Sequence, residues 1–549
     1  MGIPAQLADS NMFSRFLISG KKERAFMMTP CGFPNEKNCA IRPGLFSLAL
    51  LLSLLVGCGS GKSPETTTTT PSNGFQTAAL TRLSQDTFTN STSQHATEVE
   101  PGSYSFGSTM VSAFQVGRIF SGGGADIGFA TSTDAGTTWN SGYLPGITTF
   151  QGGGLFSAAS DAVVAFDAAH AIWLISSLAI GTTTEVVVNR SPDGINWGNS
   201  IAVSTSGSPD KNWIACDNTS TSPFYGHCYV EWDDPSNQDI IEMSTSNDGG
   251  LTWGAAQNTA NLAEGISGVP LVQPNGTVVV PILGISATSD SILAFTSTDG
   301  GATWHAPATI SPVTDHQVAG NLRTAALPSA QMDGLGTIYV TWQDCRFRTN
   351  CTSNDLVLSS SSDGVTWTAV TRVPIDATTS TVDHFIPGLG VDSATSGTST
   401  HLTLTYYFYP VSNCTTATCS LGIGYVTSQN AGQTWSASTQ LAAGMSVNWL
   451  PNTFSGLMVA DYISTSYIRG KAFAVFAVAN PPAGSVLNQA IYTTPSPLVA
   501  EKSGGQYSSK RERPVSNATS DHGPRRFYDE DHEYPIPPPQ RDLRRSAKK

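Results

Sequence analysis

Apolar and polar positions alternate with a period of two along most of the chain. The segments IGFATS, TEVVVNR, DIIEMSTS, SILAFTS, DLVLSSS and LGIGYVTS show it plainly. Alternation rich in β-branched residues marks strands with one buried face. Each follows a second alternating segment: TMVSAFQV, AIWLISS, HCYVEW, GTVVVPIL, GTIYVTW and HLTLTYYFY. Before most of these stands an apolar stretch ending in a turn: DAVVAFDAAH, KNWIACDN, LVQPNG, SAQMDG and GLGVDS. The pattern predicts strands a, b and c, a turn, then strand d, repeated.

The turn after strand c is nearly the same each time. Six phrases run from Ser132 to Trp139, Ser191 to Trp197, Ser246 to Trp253, Ser297 to Trp304, Ser361 to Trp367 and Ser428 to Trp435. Their starts are 59, 55, 51, 64 and 67 residues apart, a period that suits one four-stranded blade per repeat. Gly supplies positive φ in a tight turn, and an Asp carboxylate accepts hydrogen bonds from turn amides. The phrases resemble the Asp-box, or BNR repeat, of the sialidase superfamily, S-x-D-x-G-x-T-W. The copies at Asp193 and Asp363 are one residue shorter, and the last has Asn430 for Asp, which should make it the weakest. The resemblance implies a β-propeller in which these Asp residues are structural.

After the sixth phrase, residues 456–496 offer a further a-b-c unit, GLMVADY, KAFAVFAVA and NQAIYTTP. Residues 75–84, FQTAALTRLS, can supply its outer strand, which would leave no open sheet edge. The expected fold is all-β: a β-propeller of four-stranded blades, seven in number and six with Asp-boxes. Six blades are the alternative, and the usual number for sialidases with this motif.

Composition agrees with short strands and many turns. Only 13% of the 549 residues are charged, and there are 52 Gly and 32 Pro. Residues 59–500 carry 30 acidic and 11 basic residues. So acidic a body excludes nucleic acid as partner, since that affinity rests on cation–phosphate contact. It suits a cation, a neutral glycan or a basic partner.

Residues 45–56, LFSLALLLSLLV, are too short an apolar run to span a bilayer and fit the core of an export signal. Lys37 and Arg42 precede it, and it ends in Leu55-Val56-Gly57-Cys58, which resembles a bacterial lipobox with Cys58 lipidated. Residues 1–58 are thus read as a leader with its true start at Met27 or Met28, 59–74 as a low-complexity tether and 75–500 as the propeller. Residues 501–549 are read as a disordered Pro-rich tail. The expected location is extracytoplasmic, as a monomer held to a bacterial membrane by its lipid alone. The remaining cysteines pair closely as Cys216/Cys228, Cys345/Cys351 and Cys414/Cys419. Near-neighbour pairs in an exported chain predict three local disulfides. The first would staple the Asp-box face, and the other two would pin loops of the opposite face.

Topology sorts the candidate chemistry. Asp167, Asp217, Asp333, Asp392 and Asp461 end successive a strands on the Asp-box face and are expected as turn residues. The opposite face should gather His95, Glu98, Glu100, Asp161, Asp210, Lys211, Asp233, Asp234, Arg323, Asp344, Arg346, Arg348, Asp383 and His384. Asp233, Asp234, Asp344 and Asp383 are the candidate catalytic carboxylates, since glycoside hydrolysis needs two such groups across the bond. Arg323, Arg346, Arg348, Asp210, His384 and Trp232 are the candidate substrate contacts. No metal or cofactor is expected, calcium being the one ion that Asp-rich rims suit.

Sialidase chemistry, which the resemblance implies, needs three Arg around a substrate carboxylate, a Tyr nucleophile with a Glu, and an Asp acid/base. The Arg clamp has no match here. Gly117-Arg118-Ile119-Phe120 echoes the family's R-I-P signature without its Pro, and no Tyr can be assigned from sequence. The reading is a carbohydrate-active propeller, glycan-binding or glycoside-hydrolysing. A non-catalytic cell-surface binding propeller is the alternative.

Overall fold

The computed structural model describes residues 76–499 together with 507–508, 512–515 and 518–520. These belong to the compact unit Pro71–Lys549; the leader, Cys58 and the tether lie outside the described residues, as does most of the tail. The structure is all-β, as expected, with only four short 3-10 turns among the described residues.

The strands form antiparallel meanders in sequence order. The first holds Glu98–Phe106, Thr109–Arg118, Gly124–Ser132 and Asn140–Tyr143. The second holds Ala158–Asp167, Ile172–Ile180, Thr184–Ser191 and Ile201–Ser204. The third holds Asp210–Cys216, Cys228–Asp234, Ile240–Ser246 and Gln257–Asn258. In the fourth, Gly265–Ile266 and Leu271–Val272 share the first position, before Val278–Gly284, Ser291–Ser297 and Ala308–Pro312. The fifth holds Ser329–Met332, Ile338–Asp344, Asp355–Ser361 and Thr371–Arg372. The sixth holds Asp383–Val391, Leu402–Tyr409, Ser420–Ser428 and Thr439–Ser446. The last holds Ser464–Ile468, Lys471–Ala479 and Gln489–Thr493, and the N-terminal strand Thr81–Arg82 pairs with it at Tyr492 and Thr493.

The first strands adjoin in sequence order, and that of the last meander adjoins that of the first. Their later halves surround a cavity of about 580 Å³. The last meander corrects one expectation. GLMVADY is not its first strand: Gly456–Leu457 pairs with Asn452–Thr453 instead, and the strand is the polar Ser464–Ile468. It lacks an apolar face because hydroxyls hold it. Ser464 and Ser466 bond Ser103 at 2.7 and 2.8 Å, and Thr465 bonds Thr405 at 2.9 Å.

The six repeated turns share one geometry. In the third, the Ser246 hydroxyl donates to Asp248 at 2.9 Å and accepts from the Gly250 amide at 2.9 Å. Asp248 also accepts from the Leu251 and Thr252 amides, each at 3.0 Å, and from the Thr252 hydroxyl at 2.6 Å. Slight burial opposes the Asp248 charge, but these bonds outweigh it and hold its pKa at about 2. For Asp134, bonds from Thr138 lead in lowering it to about 2. Asn430 accepts from the Ser428 hydroxyl at 3.0 Å and the Thr434 amide at 2.9 Å, but its side-chain amide donates to the Thr434 hydroxyl at 2.9 Å where an Asp would accept, and it carries no charge.

Each turn is also a joint between meanders. Its glycine has positive φ, and a Cβ there would strike the preceding meander: Gly194 against Val111, Gly250 against Leu174, Gly364 against Val279 and Gly432 against Leu358. Gly136 of the first meander meets Phe473 of the last in the same way. Asp248→Ala is therefore expected to cost about 1–2 kcal/mol, by loss of charge-assisted bonds to two turn amides and a hydroxyl. Urea unfolding would show this as a lower midpoint at unchanged slope.

The three expected disulfides are present: Cys216–Cys228, Cys345–Cys351 and Cys414–Cys419. Cys216 and Cys228 are directly opposed residues of the third meander. The Cys345–Cys351 bond closes the loop between the second and third strands of the fifth meander, with Cys351 ending the 3-10 turn Thr349–Cys351. The Cys414–Cys419 bond closes the matching loop of the sixth, and Cys419 immediately precedes the strand Ser420–Ser428. Cys351 and Cys419 are both buried, and so is Cys345. The Cys351 amide donates to the Arg348 carbonyl at 3.2 Å and that of Cys419 to the Thr415 carbonyl at 2.7 Å. Cys419 packs into the apolar core shared by the sixth and last meanders, because its short loop folds back over the strand ends.

Candidate functional site

The first strands of several meanders begin with an irregularity. Register slips between Val99 and Gly102, Ser160 and Val163, Asp210 and Trp213, and Phe385 and Pro387. The displaced residues are left-handed: Glu100 at φ 54°, Asp161 at 49°, Lys211 at 48° and Ile386 at 49°. A non-glycine residue pays roughly 1–2 kcal/mol for that conformation. Bulges re-aim side chains, and in three successive meanders the re-aimed side chain is charged.

These charges join one buried network at the starting end of the first strands. Glu100, Asp161, Asp210, Lys211, Asp233 and Arg323 are each at most 3% exposed, so none is a solvated rim residue. Arg323 grips Asp461 bidentately, Nε at 3.0 Å and Nη2 at 2.5 Å, and its Nη2 lies 4.0 Å from Glu100. The Lys211 ammonium is 3.2 Å from Asp461 and 3.9 Å from Asp210. The Lys211 amide donates to Asp161 at 3.1 Å. Asp210 and Asp233 stand directly opposite on adjacent strands. Gln115 donates to Glu100 and, at 2.9 Å, to Ser160, while Arg118 backs Gln115 at 2.9 Å.

Burial dominates the electrostatics. It pushes Glu100 well above the usual carboxylate range, and the charges of Asp461 and Asp161 add to the effect. It raises Asp233 likewise, helped by Asp210, and it raises Glu231. Tyr462 stands among Glu100, Asp161, Lys211 and Asp461, and burial raises its phenol too. Its hydroxyl has no hydrogen-bond partner, and neither has Glu100 Oε1. The ring packs edge-on against Trp213 at 5.2 Å.

The other sequence candidates sit in separate networks. Asp234 caps the 3-10 turn Pro235–Asn237, accepting from Ser236 and Ser208 amides at 2.9 and 3.1 Å. Asp344 holds Arg346 Nη2 at 2.6 Å and its Nε at 2.8 Å. Asp383 accepts from the Asn354 amide at 2.6 Å and pairs with His316 Nδ1 at 3.2 Å. Burial raises both Asp344 and Asp383. Arg348 is fully buried and engaged by Asp355 at 2.6 Å and Asp376 at 2.7 Å. Burial lowers His384, which packs on Tyr406. Trp232 corrects the expectation of an aromatic platform: it is a core residue with no exposed face, its Nε1 donating to Glu242 at 3.0 Å.

Asp355, Asp376 and His384 are the one group with metal-ligand spacing among the described residues. Arg348 and Arg372 already neutralise both its carboxylates, which opposes a cation there. Parts of the C-terminal segment touch the same region. Glu512 lies 3.7 Å from Arg372, the Val515 amide donates to the Arg346 carbonyl at 2.8 Å, and Ser520 accepts from the Asp315 amide at 3.2 Å.

Tyr462, Gln115 and the inward role of Asp461 are not legible in the sequence. The pattern puts Asp461 on the Asp-box face because it ends an apolar stretch, as Asp167 and Asp217 do. Asp167 and Asp217 do cap turns there, whereas Asp461 precedes its strand and points at Arg323.

No protein-family model matches the chain, and no curated protein matches it. Among solved structures it is similar to a Hadza microbial sialidase, at 16% identity and a TM-score of 0.36, over 73% of this chain and 66% of that one. It is similar to the Trypanosoma rangeli sialidase in complex with the inhibitor DANA, at 12% identity and a TM-score of 0.41, over 76% and 60%. It is also similar to a polysaccharide lyase, an ulvan lyase, at 9% identity and a TM-score of 0.44, over 80% and 100%. The chain thus spans 66% and 60% of the length of the two sialidases, and no residue role is carried over from any of the three.

Proposed function

We propose that the chain is an exported seven-bladed β-propeller of Asp-box type, lipid-anchored at Cys58, that hydrolyses glycosidic bonds at the axial cluster. The observation that carries this reading is the set of strained, charged bulges. Glu100, Asp161 and Lys211 hold costly backbone at equivalent positions of three meanders and feed one buried network with Tyr462. Strain of this kind persists where surrounding structure over-determines it, and it clusters at functional sites. The cyclic order of first strands and the Gly136–Phe473 joint support ring closure. The three disulfides suit an oxidising compartment, and no helix among the described residues is long and apolar enough to cross a membrane.

Glu100, whose pKa burial pushes well above the usual carboxylate range, would donate a proton to the leaving oxygen. Asp161 is the second carboxyl group that such a reaction needs. Tyr462 with Glu100 and Asp161 matches the residue types of the sialidase reaction. The three-Arg clamp is unmatched in the sequence, and Arg323 contacts Asp461 and Glu100 of the cluster. Asp233 adjoins the cluster through Asp210. Asp344 and Asp383, both buried, hold Arg346 and His316. One observation favours the binding alternative: Arg323, Lys211 and Asp461 already satisfy one another.

The full chain, made under oxidising conditions, would be assayed on aryl glycosides and natural glycans, sialosides included. Glu100→Gln and Tyr462→Phe are expected to lower kcat/KM about 100-fold or more while the protein stays folded. Undiminished turnover by both variants would refute this assignment. Sugar binding with no turnover would favour the binding propeller.

A further inference from the structure

Resting on that reading, a sugar must reach groups that the folded chain covers. Glu100, Asp161, Asp210 and Arg323 are all buried, and a glycan touches such groups only after some segment moves. The hairpin formed by Asn452–Thr453 and Gly456–Leu457 is the segment placed to do so.

It bonds two distant parts of the fold. On one side the Leu457 amide donates to the Asn321 carbonyl at 2.8 Å, and the Leu457 carbonyl accepts from the Arg323 amide at 2.9 Å, at the entry to the fifth meander. On the other, Gln94 Nε2 donates to the Asn452 carbonyl at 2.7 Å and Gln94 Oε1 accepts from the Asn452 amide at 2.9 Å. The Phe454 amide donates to the Phe120 carbonyl at 3.3 Å. Gln94 precedes the first meander, and Phe120 follows its second strand. In the seven-membered ring the fifth and first meanders stand nearly opposite, so a hairpin that bonds both lies across the starting end of the first strands. A few residues on, the same segment brings Asp461 and Tyr462 to the cluster.

The two sides are unequal. Leu457 also bridges to Leu322, and behind it Met458, Val459 and Ala460 are buried. The Met458 amide closes the base of the hairpin on the Pro451 carbonyl at 2.9 Å. Gly456 sits at φ 127°, and a Cβ there would stand 2.7 Å from the Asn321 carbonyl oxygen, so only glycine fits this pivot. The far side rests on the two bonds of one side chain, Gln94, both at the surface, and on one longer bond. The rings of Phe454 and Phe120 are exposed there, so apolar burial holds the tip only in part. Surface hydrogen bonds trade with water and contribute little net stability, and lids are drawn from such weakly held segments.

We propose that the hairpin 452–457 is a lid over the axial site, pivoted at Gly456 and Leu457 and latched by Gln94, and that a sugar enters when the latch opens.

Native-state labelling of the full chain tests this without knowledge of the sugar. Tyr462→Cys places a thiol under the lid, and its alkylation by iodoacetamide, with the native disulfides intact, is read by mass of the peptide that contains position 462. Labelling is expected about 100-fold or more faster than global unfolding allows. Adding Gln94→Ala is expected to speed it about 5-fold, while amide exchange in the core strand Lys471–Ala479 keeps its rate. Labelling no faster than exchange of that strand, or unmoved by Gln94→Ala, overturns the lid. If Tyr462→Cys does not fold, amide exchange at Phe454 and Leu457 in the wild type and in Gln94→Ala carries the test, and exchange at the strand's rate overturns the lid. Turnover in a chain whose labelling fails these tests leaves the glycan reading standing. A lid that responds to Gln94→Ala in a chain without turnover refutes only the hydrolytic reading.

Discussion

The protein will lose stability as pH rises from about 5 to 9, with its urea midpoint highest near pH 5. Glu98, Glu100, Asp126, Glu231 and Asp233 are buried carboxyl groups, and burial raises every one of them. A group whose folded pKa lies above its unfolded value contributes its full stability below the unfolded pKa. That contribution fades as pH climbs toward the folded value. Glu98 moves from 4.5 to about 8, which corresponds to about 4–5 kcal/mol at roughly 1.36 kcal/mol per unit. The turn residues Asp134, Asp193, Asp248 and Asp363 act oppositely. Their bonds hold them at about 2, so their contribution is present above the usual carboxylate range and is lost as pH falls toward 2. The two sets together place the maximum between them. A midpoint that is flat or rising from pH 5 to 9 would contradict the burial of these acids.

Replacing Arg323 by Met is expected to destabilise the protein by about 3–5 kcal/mol, the usual result of breaking a buried ion pair from one side. Asp461 would keep Lys211 at 3.2 Å but lose two bonds from the guanidinium, and Glu100 would lose its 4.0 Å contact with Arg323. The double change Arg323→Met with Asp461→Leu removes both charges and should recover most of the loss, since apolar replacements of a buried pair are often neutral. Urea denaturation of the two variants and of Asp461→Leu forms the cycle that checks this. A single-variant cost below about 1 kcal/mol would place the pair in solvent rather than in a dry network.

The strands were legible because alternation with period two survives wherever one face of a strand is buried, as in Lys471–Ala479. The disulfides were legible from spacing, and the repeated turns from their Ser, Asp and Gly. The burial of Cys351 and Cys419 was not, since spacing says which thiols can meet and nothing of what covers them. Ser464–Ile468 was not legible either, because its neighbours hold it through hydroxyls and no apolar stripe is needed. The charged bulges are not legible for a different reason. Glu100 and Lys211 carry no local mark of a left-handed residue, and the irregularity is imposed by the neighbouring strand's register. Asp461 is assigned to the Asp-box face by a strand expected at GLMVADY, whereas the strand is Ser464–Ile468 and Asp461 precedes it, at the other end. Trp232 looked like a stacking platform beside acidic loops, yet its strand has both faces covered.

A crystal structure of the full chain with a sugar that the turnover assay selects tests the central claim most directly. The account predicts the sugar at the starting end of the first strands, within hydrogen-bond reach of the Tyr462 hydroxyl and Glu100. A sugar seated instead in the cavity at the other end, against Ser103, Ser466 and Asn218, would contradict it.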